Sequence, residues 1–275
     1  MSSSADRFLK FLSSVGTIGI DLFLGPVVDG ARSPTLSNQI ILGIILIIMI
    51  YTFLSFVWFV YNRINGAMLG RPWIVKDTKD AREAMRIPQD PADESSILLR
   101  RSVNEDEGIE FSYMWWSYID DFHYNQGTLR PIFFKGDTKN LSISRAPGVY
   151  LAPEGNSLLV YMNTYSDPNV SLVVDNLASK MWMHFALVVT QKTIEIYVNG
   201  HLKVSKVLTS LPRQNFGDLH VNTDGGYSGY LSRLRYFDYA VTFSEIDVAL
   251  NQGPSSKFPT ANMQLPPYLA TSYWL

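Results

Sequence analysis

Residues 40–61 read IILGIILIIMIYTFLSFVWFVY, an apolar run with no charge and no polar face. At the helical rise it extends roughly 33 Å, enough to cross the hydrocarbon core of a bilayer. Trp58 and Tyr61 lie near its C-terminal end, where amphipathic rings favour the headgroup level. The run predicts one transmembrane helix over 40–61. Upstream, Phe8, Phe11, Leu12, Val15, Ile18, Gly19 and Leu22 recur at helical spacing, with Lys10, Ser13, Ser14 and Thr17 elsewhere on the wheel. That pattern predicts an amphipathic, interfacial segment over 1–39. The alternative is a second span over 11–28, interrupted by Asp21 and ended at Gly25 and Pro26.

After the apolar run, residues 62–96 lose periodicity and carry Gly66, Gly70, Pro72, Pro88 and Pro91. They predict a linker, with room for one short helix in the charged stretch 76–86. From residue 97 the pattern changes to period two. A strand over 97–101 opens the series. In residues 109–118, Ile109, Phe111, Tyr113 and Trp115 alternate with Glu110, Ser112, Met114 and Trp116. Strand patterns follow at 131–135, 149–152, 157–163, 170–174, 183–190, 193–198, 202–208, 219–222 and 229–237. Asn199 and Gly200 form a hairpin signal, because both central residues of that turn need positive φ. Thr242 and Glu245 have capping-box spacing, and Gly253 and Pro254 stop the helix that follows. Many short antiparallel strands with one helix predict a mainly β fold, a two-sheet jelly-roll sandwich over 97–253 behind one transmembrane helix. Residues 254–275 form a Pro-rich tail whose aromatic end predicts docking, with Tyr268, Tyr273 and Trp274 as partner-binding candidates. Tyr124 and Tyr165 are further candidates on loops.

Composition narrows the class. A net charge of −2 and no basic patch with interleaved aromatics leave nucleic-acid binding without support. There is no cysteine, which fits a reducing compartment. Arg63, Arg71, Lys76 and Lys79 follow the apolar run, whereas only Arg32 lies close before it. The positive-inside bias therefore places the C-terminal domain on the cytosolic side. Asn140 and Asn169 begin glycosylation triplets and serve as reporters of the opposite topology.

Four segments together resemble laminin-G-like, concanavalin A-like domains. Trp182, His184 and the apolar strand after them, then the strand ending Tyr197, Asn199 and Gly200, resemble the core hairpin of those families. Residues 131–137 resemble an early strand and turn, and residues 229–238 with the helix at Glu245 resemble the closing strand. The resemblance implies a jelly roll of two curved antiparallel sheets, with Trp182 and Tyr197 packing in the core. It implies no particular activity, because the fold hosts lectins, adhesion modules and hydrolases. The whole arrangement also resembles membrane-associated and minor capsid proteins of large icosahedral DNA viruses with an internal membrane.

Candidate chemistry is sparse. Glu105, Asp106, Glu107 and Glu110 approach the carboxylate signature of laminarinase-like hydrolases, but Glu107 stands where that motif has aspartate. A solvated acidic turn is the expectation. Laminin-G-like domains often hold one calcium, and Asp137, Asn222 and Asp224 stand near the matching places. Asp120, Asp121 and His123 read as a polar loop. The four histidines lack ligand spacing, so zinc is not expected. The expectation is a non-enzymatic, membrane-anchored interaction protein with partners in the bilayer and among capsid or membrane-associated proteins. A glycan-binding lectin or adhesion receptor is the alternative, with a glycan hydrolase behind it.

Overall fold

The structure is a computed structural model that describes residues 36–102, 108–137 and 145–258. Outside these lie most of the interfacial segment, Glu105, Asp106 and Glu107 of the acidic turn, Asn140, and the tail with Tyr268, Tyr273 and Trp274. The chain divides into two units, Met1–Gly66 and Ala67–Leu275.

The first unit contains most of a helix, α1 (Leu36–Leu69). Its stretch Gly43–Tyr61 is long and apolar enough to cross a membrane, and none of it is buried. Ile47, Phe53 and Trp58 are each about two-thirds exposed. The helix extends beyond the predicted 40–61 at both ends, because Asn62–Leu69 contains no proline and only Gly66 to weaken it.

The second unit is a sandwich of two antiparallel sheets. Its strands are β1 (Trp73–Val75), β2 (Lys79–Asp80), β3 (Met85–Ile87), β4 (Phe111–Asp121), β5 (Arg130–Lys135), β6 (Gly148–Leu151) and β7 (Leu158–Met162). They continue with β8 (Val170–Val174), β9 (Trp182–Val189), β10 (Thr193–Val198), β11 (His201–Val207), β12 (Leu219–Val221) and β13 (Ser228–Phe237). One sheet runs β1-β13-β4-β9-β10-β11, with β2 also on β13; the other runs β3-β12-β5-β6-β7-β8. A second helix, α2 (Phe243–Gln252), follows β13.

The predicted alternation in β4 sorts its side chains. Phe111, Tyr113 and Trp115 face the core, where Tyr113 and Trp115 meet Phe133 of the opposite sheet at 5.0 and 5.1 Å. Met114, Trp116 and Tyr118 face the other way. β9 is buried at every position, because α2 covers part of its outer face. Ile246 of α2 packs with Met114, Ala186, Val188 and Phe237 there. Thr242 and Glu245 form the predicted capping box, with the Thr242 side chain accepting from the Glu245 amide.

Three expectations need correction. Residues 72–96 are not a linker, since β1, β2 and β3 join the two sheets well before residue 97. These strands have two or three residues each, too few for a period of two to show. For the same reason the charged stretch 76–86 forms turns and strands, not a helix. Residues 97–101 form no strand; they run beside the sandwich, with Arg100 accepting a hydrogen bond from the Tyr236 hydroxyl.

Asn199 and Gly200 join β10 to β11 with φ of 48° and 78°, as the hairpin signal requires. Asn199 Oδ1 also accepts from the His184 amide at 2.8 Å. Asn199→Ala should therefore lower stability by about 1–2 kcal/mol, through left-handed strain and one lost hydrogen bond. Asn199→Gly should recover the strain part but not the bond. Urea unfolding of the two variants checks the order.

Candidate functional site

The outer face of the first sheet carries a cleft of about 220 Å³ between β1, β4, β9, β13 and α2. Its walls come from local rules. β13 contains a bulge: Leu231, Leu234 and Tyr236 all join the inner core, a spacing of three and then two. The extra residue puts Arg233 at φ 51° and brings both Arg233 and Arg235 to the cleft. Arg71 and Trp73 are held beside them because the Tyr236 amide donates to Pro72 and the Asp238 amide donates to Gly70. Trp116 and His184, cross-strand partners on β4 and β9, form the floor with ring centres 5.2 Å apart.

Three guanidinium groups face one carboxylate here. Arg235 lies 4.6 Å over the Trp73 ring and 5.2 Å over Phe237, and donates Nε–H to the Arg71 carbonyl. Burial, and then the like charge of Arg71, lower the pKa of Arg235. Arg233 donates to Gln252 Oε1 at 3.1 Å. Arg71 stacks over Tyr239 at 4.7 Å and reaches Glu245 at 4.0 Å. Glu245 is otherwise committed, accepting from the Tyr239 hydroxyl at 2.5 Å and the Thr242 amide at 2.9 Å. Burial pushes its pKa up, but those bonds outweigh it and keep the carboxyl below its usual range. His184 is buried with Nδ1 unpartnered among the described residues, and burial depresses its pKa to about 4. Ser244 also lines the cleft, yet no hydrogen bond joins it to His184. Among the described residues of the cleft, a relay of nucleophile, base and orienting carboxylate is not assembled. The arrangement offers hydrogen-bond donors and flat apolar walls.

Residues 93–247 match the Laminin_G_3 family, described as the concanavalin A-like lectin/glucanases superfamily. The chain belongs to this superfamily. Among solved structures, this lectin-type domain is similar to the binding domain of Paraclostridial Mosquitocidal Protein 1. The two are 15% identical, with 66% of this chain and 46% of that one covered and a TM-score of 0.47. It is also similar to the botulinum neurotoxin serotype D ligand binding domain in complex with N-acetylneuraminic acid. That pair shows 13% identity, coverage of 55% and 39%, and a TM-score of 0.43. The chain thus spans less than half the length of either structure. No curated protein matches it.

The lectin-type fold separates the calcium candidates. Leu219 of β12 pairs with Lys135 of β5, and Val221 pairs with Phe133. Asp137 therefore lies beyond one end of β12 and Asn222 beyond the other, roughly 15 Å apart at the strand rise. Asn222 and Asp224 share a turn, both with positive φ. Asn222 is fully buried while Asp224 and Asp137 are exposed. The three do not form one ligand set. Asp121 accepts from the backbone and ring of His123 in an exposed turn, as the polar-loop reading expects. Glu110 sits just before β4, beside a Ser102 hydroxyl that accepts from its amide.

Trp182 and Tyr197 pack as expected, but in clusters on the outer face of the first sheet, with Trp182 buried and Tyr197 partly so. Trp182 joins Trp116, Tyr118 and Tyr230 there, and Tyr197 lies against the cluster under α2. Tyr165 is 72% exposed and Tyr124 is half-buried. The cleft residues Arg71, Trp73, Arg233 and Arg235 were not anticipated from sequence. The available signal was Arg233 and Arg235 at alternate positions beside a helix-capping motif.

Proposed function

We propose that this chain is a membrane-anchored interaction protein in which α1 holds the bilayer and the lectin-type sandwich recognises a protein partner. The observation that carries this reading is the exposed, uncharged stretch Gly43–Tyr61 joined to a folded sandwich. An apolar surface of that length is costly in water and is relieved by lipid. The finer form of the reading is structural: a minor capsid protein tying an internal membrane to a protein shell, with the sandwich on the cytosolic side. The basic residues after the apolar run, the absence of cysteine and the aromatic tail support it.

Sidedness tests the proposal. In sealed membranes carrying the full chain, protease added from the cytosolic side should digest the sandwich, and Asn169 should remain unglycosylated. Asn169 is exposed in the turn before β8, so it reports fairly. A protected, glycosylated domain would reverse the topology and favour the lectin or adhesion alternative.

A further inference from the structure

The cleft under α2 has an unbalanced set of polar groups, and the imbalance names a ligand chemistry. Arg71, Arg233 and Arg235 supply only donors. The acceptors nearby are partly used: Glu245 accepts from Tyr239 and Thr242, and Gln252 Oε1 accepts from Arg233. An anion needs donors alone. Arg235 has no carboxylate partner among the described residues, although aromatic rings enclose it on two sides. A cation so placed has lost hydration without gaining a counter-ion, a cost that a bound anion removes.

Size and lining add a second requirement. A cavity of about 150 Å³ takes a benzene ring, so about 220 Å³ takes a ring with an acidic neighbour. Met114, Phe237, Val248 and Ala249 give it an apolar wall. Resting on the reading of the sandwich as an interaction module, we propose that this cleft binds an acidic peptide segment of a partner protein. A glutamate or aspartate engages Arg233 and Arg235, and an adjacent aromatic side chain fills the apolar wall. Arg on a carboxylate gives a charge-assisted bond of directional geometry, and the aromatic supplies buried area.

The test is calorimetric titration of the full chain, held in phosphatidylcholine nanodiscs, with the peptide acetyl-Gly-Glu-Phe-Glu-Gly-amide. Saturable binding is expected. It should weaken at least tenfold when glutamine replaces both glutamates, and at least tenfold in Arg235→Gln and in Arg233→Asn. Asparagine tolerates the positive φ of position 233, so that variant removes charge while keeping the bulge. An unchanged melting temperature confirms that it does. Equal affinity for the glutamate and glutamine peptides overturns the proposal, as does undiminished binding by both variants. Binding of glucuronate or methyl glucoside without the peptide also overturns it. Neither variant changes a residue of α1, so failure here is separable from failure of membrane anchoring, which the sidedness assay reads.

Discussion

Replacing Ile47 and Phe53 together by arginine should release the chain from membranes. Both side chains lie near the middle of the uncharged stretch and are about two-thirds exposed. Gly43–Tyr61 measures roughly 28 Å along a helix, close to the thickness of a hydrocarbon core. A charge at the centre of such a helix costs about 2.5–3.5 kcal/mol on insertion scales, so two cost about 5–7 kcal/mol. The apolar run has no acidic residue to pair with either arginine. The measurement is retention in the membrane pellet after alkaline carbonate extraction, with Ile47→Leu and Phe53→Leu as the volume-matched control. Full retention of the double arginine chain would show that α1 is held by protein contacts. The control should stay in the pellet.

The parts of the fold that could be read from sequence are those set by local rules. The alternation of Phe111, Tyr113 and Trp115 against Met114 and Trp116 sorts β4 into a core face and an outer face, because successive side chains point to opposite sides. Asn199 and Gly200 adopt the positive φ their types favour, and Thr242 and Glu245 close the capping box. The parts that could not be read depend on pairing between distant segments. β1 exists because Trp73 meets Arg235, more than 150 residues away, and no pattern within three residues announces that. The same holds for the site. The bulge in β13 turns Arg233 outward, and a one-residue irregularity does not show in an alternating pattern. The separation of the calcium candidates was hidden for a related reason: register places Asp137 and Asn222 at opposite ends of one strand. The resemblance to laminin-G-like domains implied that Trp182 packs in the core. It is buried, but between the sheet and the segment carrying Leu250 and Phe258, a layer that only α2 and the chain after it create.

Mild acid should weaken the sandwich through His184. Its ring lies beside Trp116, and Nδ1 has no partner among the described residues. Burial penalises the imidazolium and lowers its pKa to about 4 in the folded chain, against an ordinary value near 6.5. Below pH 6.5 the unfolded chain takes up a proton at this position and the folded chain does not, so stability falls with pH. The fall is about 1.4 kcal/mol per pH unit and ends near pH 4, where the folded form also protonates, for a total of about 3 kcal/mol. His220 is lowered too, chiefly by burial, and contributes in the same direction. Comparing the wild-type chain with His184→Gln isolates the term, since glutamine keeps a polar side chain but does not titrate. Urea unfolding of both chains in a mild detergent, at intervals from pH 7 to pH 4, should show the variant gaining about 3 kcal/mol relative to wild type. A difference between the two that stays constant across that range would mean that the folded protein already accommodates charge at His184. The groove floor would then be wetter and more polar than its packing against Trp116 implies.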